Sequence, residues 1–185
     1  MGNFHLNLAV STLNQGGIIA YPTEAVFGLG CLPEDVYSVA RILSLKGRSV
    51  RKGLILVAAS PEQFDAYVDY PDGKLRQKVS ASWPGPVTWV LPAKTNVPGC
   101  VTGYKDTVAV RVSAHPTVQA LCKEAGVIVS TSANPARKTP ATNAFRVRSY
   151  FGNEIDYILS GNTGSKQLPT EIRDAISGKV LRSGD

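Results

Sequence analysis

The 185-residue sequence holds only two histidines, one methionine, two tryptophans and three cysteines. His5 and His115 cannot supply a multi-histidine metal site, and they leave a Ser-His-Asp triad few ways to exist. Cys31, Cys100 and Cys122 form no CxxC pair, and an odd number cannot close into a full disulfide framework, so they read as buried or half-buried thiols. Runs of like charge and low-complexity tracts are missing. With 43% apolar and 18% charged residues, the chain is too hydrophobic and too mixed to be disordered. No stretch approaches the ~20 apolar residues of a membrane span. The uncharged opening from Met1 to Thr23 is interrupted by Asn7, Ser11, Asn14, Gln15 and Gly16, and it lacks the cationic start of a signal peptide. Met1-Gly2 does not open a myristoylation signal, because Leu6 stands where Ser or Thr is wanted. Neither the Walker pattern GxxxxGK nor the dinucleotide pattern GxGxxG occurs, which excludes phosphate binding of those two kinds as far as motifs go. Seven Tyr and five Phe without an RNP-like aromatic strand disfavour base stacking on single-stranded nucleic acid. The expectation is a folded cytoplasmic protein with no membrane partner, one domain over 1–185 without internal repeats or a dividing linker.

What is present is positive charge. Twenty Lys plus Arg against 14 Asp plus Glu give a net +6, which points to an anionic partner such as nucleotide, phosphate or nucleic acid, although the same charge also serves solubility. With so little imidazole, chemistry here rests on cations, hydroxyls, amides and backbone.

Apolar spacing predicts an alternation of helices and strands. Leu6, Val10 and Leu13 recur at helical spacing and stop at Gly16-Gly17, after which Ile18 to Tyr21 reads as a buried strand ended by Pro22. A helix follows from Glu34-Asp35 to Lys46, then a strand over Leu54 to Ala58. Ser60-Pro61-Glu62-Gln63 combines an N-cap, a first-turn proline and a capping-box glutamine and predicts a helix start, with another helix over Lys74 to Ser82. Strands are expected at Val87–Leu91, Val108–Val112 and Val127–Val129, and a helix between the last two is closed by Gly126. A further helix spans Asn143 to Phe151. Ile155–Leu159, Glu171–Ala175 and Lys179–Arg182 read as strands, the last two a hairpin through Ser177-Gly178. Strands separated by helices, ending in a hairpin, imply an α/β fold with a mixed sheet.

Four segments can carry chemistry. Lys46-Gly47-Arg48 with Arg51 and Lys52 places four cations and no acid between a helix end and a strand, a loop able to hold an oligophosphate or simply a solvated one whose lysine caps the helix. Ser130 to Asn134 reads as a hydroxyl-rich loop beyond the carboxyl end of a strand, where ligands sit in α/β sheets, or as a turn satisfying its own backbone. Tyr21 to Gly30 reads as a strand end passing into a Gly-rich turn with one hydroxyl, Thr23, and one carboxylate, Glu24. Arg111 interrupts an apolar strand on the face of Ala109. Its guanidinium requires an anion, either a protein carboxylate or a ligand's.

Taken together, YPTEAVFGLG, LKGR, SWPGPVT, DTVAVRV, STSAN and TEIRD, in this order, resemble the YrdC-like (TsaC/Sua5) threonylcarbamoyl-AMP synthases along nearly the whole chain. The chain stops soon after Arg182, like the short single-domain bacterial form. The resemblance implies a single-domain, twisted open mixed sheet flanked by helices with a concave basic cavity. It further implies an enzyme joining L-threonine, bicarbonate or CO2 and ATP into threonylcarbamoyl-AMP and pyrophosphate. That product feeds N6-threonylcarbamoyladenosine at position 37 of tRNA, and a tRNA threonylcarbamoyl transferase complex is the implied functional partner. By matching position, Lys46 and Arg48 are the KxR cations that act on the phosphates. Ser132 and Asn134 form the SxN element, and Lys52, Thr107, Thr142 and Arg182 join them around the nucleotide. Thr23, Arg111 and Thr170 fall around threonine. Ala25 and Val57 depart from the polar residues of longer members. No residue is an evident nucleophile. Mg2+ is expected to bridge phosphate oxygens with no protein metal site, and Glu24 is the candidate acceptor of the amine proton. The alternatives are a binding module that holds double-stranded RNA or tRNA by backbone charge and shape, and a paralogue with a different carbamoyl substrate.

Overall fold

A computed structural model describes residues 3–164 and 170–184; the Met1-Gly2 pair lies outside them. Six helices are described: α1 (Asn3–Asn14), α2 (Val36–Lys46), α3 (Gly73–Ser80), the single turn α4 (Gly99–Thr102), α5 (Pro116–Ala125) and α6 (Ala144–Phe151). Local chemistry sets their ends. The carboxylate of Asp35 accepts from the amides of Tyr37 and Ser38 at 3.1 and 3.2 Å, and α2 stops at Gly47, whose φ of 57° is left-handed. Pro116 occupies the first turn of α5, and Asn143 caps α6 through the Arg146 amide at 2.8 Å.

The strands are β1 (Ile19–Pro22), β2 (Phe27–Gly30), β3 (Ile55–Ala58), β4 (Val87–Pro92), β5 (Thr107–Val112), β6 (Ile128–Ser132), β7 (Tyr157–Ile158), β8 (Glu171–Asp174) and β9 (Val180–Arg182). They form one mixed sheet in the order β7-β1-β2-β6-β3-β5-β4-β8-β9. The β1/β7, β3/β5 and β4/β8 pairs are parallel and the rest antiparallel, with β8 and β9 the expected hairpin.

Three expectations of local structure change, one of them at Ser130 to Ser132, which belongs to β6. The Gly-rich turn is in its second half the strand β2, because the ring of Tyr21 crosses it. A Cβ on Gly30 would stand 2.9 Å from the Tyr21 ring and one on Gly28 3.2 Å from it, so glycine at both positions lets the hydroxyl of Tyr21 reach Ser130 Oγ on β6 at 2.8 Å. The helix expected from Ser60 is a 3₁₀ segment, Pro61–Ala66, with no side-chain cap from Ser60. Gln63 instead accepts from the Ala59 amide at 2.7 Å and donates to the Cys122 carbonyl at 2.6 Å, so it ties this segment to α5 rather than closing a capping box.

The sheet's two faces are covered unequally. On one, Leu29, Leu56, Val108, Val110 and Val129 pack with Val39 and Ile42 of α2, Val79 of α3, Val101 of α4, and Val147 and Phe151 of α6. On the other, of the described helices α1 and α5 contribute, through Ala9, Leu13, Val118 and Leu121 against Ile19, Tyr21, Val57 and Ile128. The uncovered remainder of that second face is the floor of a cavity.

Candidate active site

Cross-strand register decides which side chains share this floor. Gly28 stands opposite Ser132, Ser130 opposite Ile55, Ile55 opposite Ala109, and Val57 opposite Arg111. Paired residues point to the same face, so β2, β6, β3 and β5 present glycine, hydroxyls, aliphatics and a guanidinium side by side. The turn from Thr23 to Val26, the segment around Thr139 and Thr142, Thr163-Gly164, Thr170, Arg48 and Arg182 wall the space, whose volume is about 740 Å³. That lies within the range of small-molecule and cofactor sites. A second, shallower hollow of about 300 Å³ between α1 and Glu124 is lined by no cation.

Three arginines line the cavity. Arg48 donates through Nε and Nη2 to the Gly53 carbonyl at 3.3 and 2.9 Å, and Arg182 through the same two atoms to the Thr170 carbonyl at 3.2 and 2.6 Å. Partial burial, and then the nearby charges of Arg48 and Arg111, pull Arg182 below its ordinary pKa. Like charges held this close favour an anion between them.

Arg111 has a protein partner: Nη1 donates to Glu24 Oε1 at 2.6 Å, and both side chains are nearly buried. The same oxygen accepts from Ser113 Oγ at 2.6 Å and from the Ala114 amide at 3.2 Å. Burial opposes the ionised form, yet the Arg111 charge and these donors win and hold Glu24 down at about 2. A carboxylate so stabilised is a poor proton acceptor, which corrects the expectation for Glu24. The ligand reading of Arg111 is not displaced, because among the described residues its Nε and Nη2 make no hydrogen bond while the residue lines the cavity.

The KxR and SxN segments form one unit. Lys46 is buried at 5% exposure, and its Nζ donates to the carbonyl of Ser132 and to the carbonyl of Asn134 at 2.9 Å, with Asn134 Oδ1 at 3.4 Å. Burial, then Arg48, lowers Lys46 to about 8. Ser132 Oγ donates to Asn134 Oδ1 at 2.7 Å, and Asn134 Nδ2 donates to the carbonyls of Pro135 and Lys138 at 3.0 and 2.7 Å. Ser130 to Ser132 is therefore strand rather than loop: alternation turns Ser130 and Ser132 to the cavity, and Lys46 and Asn134 brace the strand's end from behind.

Of the eleven residues expected at the site, Thr23, Arg48, Arg111, Ser132, Thr142, Thr170 and Arg182 line the cavity. Lys46 and Asn134 touch it through Ser132. Lys52 lies exposed in the single 3₁₀ turn Val50–Lys52, and Thr107 opens β5 opposite Pro92; neither lines the cavity. Ala25 and Val57 do line it, so apolar groups stand beside Arg111. Thr139 and Ser113 escaped sequence reasoning, and Ser130 is expected there only within a hydroxyl-rich loop. Period-2 alternation extended through Ser130-Thr131-Ser132 is the signal that places Ser130, and nothing local marks Ser113.

A family model named for Sua5, YciO and YrdC and carrying the description "Telomere recombination" matches residues 11–184, so the chain belongs to the Sua5/YciO/YrdC family. A threonylcarbamoyl-AMP synthase of Halorhodospira halophila is 51% identical over 180 residues, 97% of this chain and 94% of that protein. One of Pseudomonas aeruginosa is 47% identical over 183 residues, 98% of each. Among solved structures, P. abyssi Sua5 complexed with L-threonine superposes with a TM-score of 0.92 at 32% identity, covering 100% of this chain and 55% of that longer one. E. coli YciO superposes at 0.83 with 27% identity, covering 99% and 90%.

Proposed function

We propose that this chain is a threonylcarbamoyl-AMP synthase, a nucleotidyltransferase that uses L-threonine, bicarbonate or CO2 and ATP. The observation that carries the reading is the convergence of Arg48, Arg111 and Arg182 on one cavity of about 740 Å³ in which, among the described residues, the only carboxylate is already bound to Arg111. The two threonylcarbamoyl-AMP synthases named above match this chain over nearly their full length.

The amine of threonine takes up CO2, forming an N–C bond and releasing a proton. A carbamate oxygen then attacks the α-phosphorus, the bond to the bridging oxygen breaks, and pyrophosphate leaves. Repulsion between the carbamate and the phosphates dominates the barrier, so cations that follow charge onto the leaving group lower it. Arg48 and Arg182 take that role, with Ser132 and Thr142 on the nucleotide and Lys46 and Asn134 fixing the strand end that presents Ser132. The Nε and Nη2 edge of Arg111 matches the bidentate geometry of a carboxylate and takes that of threonine, beside Thr23 and Thr170. No cluster of three or more His, Cys, Asp or Glu able to hold a metal occurs among the described residues. Mg2+ enters with the ATP substrate and would neutralise part of the phosphate charge. The product supplies the threonylcarbamoyl group for tRNA adenosine 37 through a separate transferase. No helix among the described residues is long and apolar enough to cross a membrane.

The test is pyrophosphate release and adenylate formation with ATP, L-threonine and bicarbonate, each omitted in turn. All three are required; release that continues unchanged without threonine describes an ATPase and overturns the reading.

A further inference from the structure

Glu24 and Arg111 are 87 residues apart in sequence and belong to opposite sides of the cavity. Glu24 sits in the turn between β1 and β2, and Arg111 on β5, with β6 and β3 lying between them in the sheet. The ion pair therefore spans two strands. On the β5 side the carboxylate meets a prepared seat. Ser113, fully buried, donates to Glu24 Oε1 while its hydroxyl oxygen accepts from the His115 amide at 3.1 Å, and the Ala114 amide adds a third donor. The turn is also held from its own side, where the Gly164 amide donates to the Thr23 carbonyl at 2.9 Å. A Cβ on Gly164 would come within 2.6 Å of the Glu24 carbonyl, so the segment packs directly on the backbone of Glu24. The side-chain contacts of Glu24 all converge on Oε1, and that oxygen holds a single nitrogen of Arg111.

We infer that Glu24 is a positioning residue: by gripping Nη1 from across the cavity it fixes the rotation of the Arg111 guanidinium, so that the Nε and Nη2 edge faces the amino-acid substrate's carboxylate. A guanidinium on a flexible stem loses rotamer entropy when it binds, and a fork already held in the bound orientation loses less. Ser113 acts through Glu24 in the same way, as the group that keeps its carboxylate in register. The inference rests on the reading of Arg111 as the partner of the threonine carboxylate, and it adds what sets that arginine's aim.

Length and charge of the residue at 24 separate positioning from simple neutralisation. E24D keeps the charge but retracts the acceptor by one methylene; E24Q keeps the reach, so its amide oxygen still accepts from Arg111, Ser113 and Ala114, but loses the charge. Steady-state kinetics for both, with R111K as reference and melting curves for each, form the test. Positioning predicts that E24D raises the threonine KM at least about tenfold and E24Q by less, with the ATP KM within about twofold in both. S113A, which leaves the ion pair in place, is expected to raise the threonine KM about two- to fivefold. If E24D is the milder variant, or if folded E24D and S113A both keep the wild-type threonine KM while R111K loses it, Glu24 is only a counter-ion and the inference fails. If R111K itself leaves the threonine KM unchanged, the reading of Arg111 fails and the inference with it.

Discussion

The two faces of the sheet are made by different rules. The face under α2, α3, α4 and α6 carries the larger apolar core, with Leu29, Leu56, Val110 and Val129 fully buried. The opposite face is packed beneath α1 and α5; beyond them Ser130, Ser132, Gly28 and Arg111 stand with Ile55 and Val57 along a cavity. One face holds the fold together, and the other spends buried polar groups on holding a ligand. Stability and substrate recognition should therefore respond separately to substitution on the two sides.

The largest loss of stability is expected on the closed face. Leu56→Ala removes a fully buried side chain and should cost about 2–5 kcal/mol of unfolding free energy, read by denaturant titration, while the KM values of the folded fraction stay within twofold.

On the open face Arg48→Ala should lower turnover by about 10²-fold, equivalent to about 2.7 kcal/mol of transition-state stabilisation, with little change in melting temperature. Lys46→Ala, two residues away, should lose activity and also stability, about 1–3 kcal/mol, because the Ser132 and Asn134 carbonyls lose their buried donor. Equal melting temperatures for the two variants would show that Lys46 braces nothing.

Acid titration sharpens the contrast further. Glu24 is held at about 2, below its usual 4.5, so the folded state binds fewer protons than the unfolded chain between those values. Its stabilising contribution is complete above about pH 4.5 and disappears as the pH falls toward 2. Unfolding midpoints measured from pH 2 to 6 should fall less steeply in E24Q than in the wild type. The smallest effect belongs to Ser132→Ala, which removes one neutral hydrogen bond to Asn134 worth about 0.5–1.5 kcal/mol and should weaken nucleotide binding by no more than about tenfold.

The same division explains what could be read in advance. Apolar period announced the closed face: the strands at Leu54–Ala58 and Val108–Val112 and the helix ending at Lys46 all stand within a residue or two of their predicted places. β2 was hidden because two of its four residues are glycines that yield to Tyr21 rather than apolar groups that pack. The strand over Ser130-Thr131-Ser132 was hidden because the face it shows to the cavity is hydroxylic. At the site, residue type and order brought Arg48 and Ser132 forward, the family resemblance added Arg182, and seven of the eleven expected residues line one cavity. Long-range partnership was illegible. That Lys46 would bond the backbone at Ser132, or that Arg111 would meet Glu24, follows from strand order, and strand order is not written in local spacing.

The most direct test of the account is a crystal structure of the protein soaked with L-threonine and a non-hydrolysable ATP analogue. The account predicts the threonine carboxylate on the Nε and Nη2 edge of Arg111, with the phosphates between Arg48 and Arg182. Ligands seated instead in the hollow between α1 and Glu124, or a cavity left vacant at saturating concentrations of both, would contradict it.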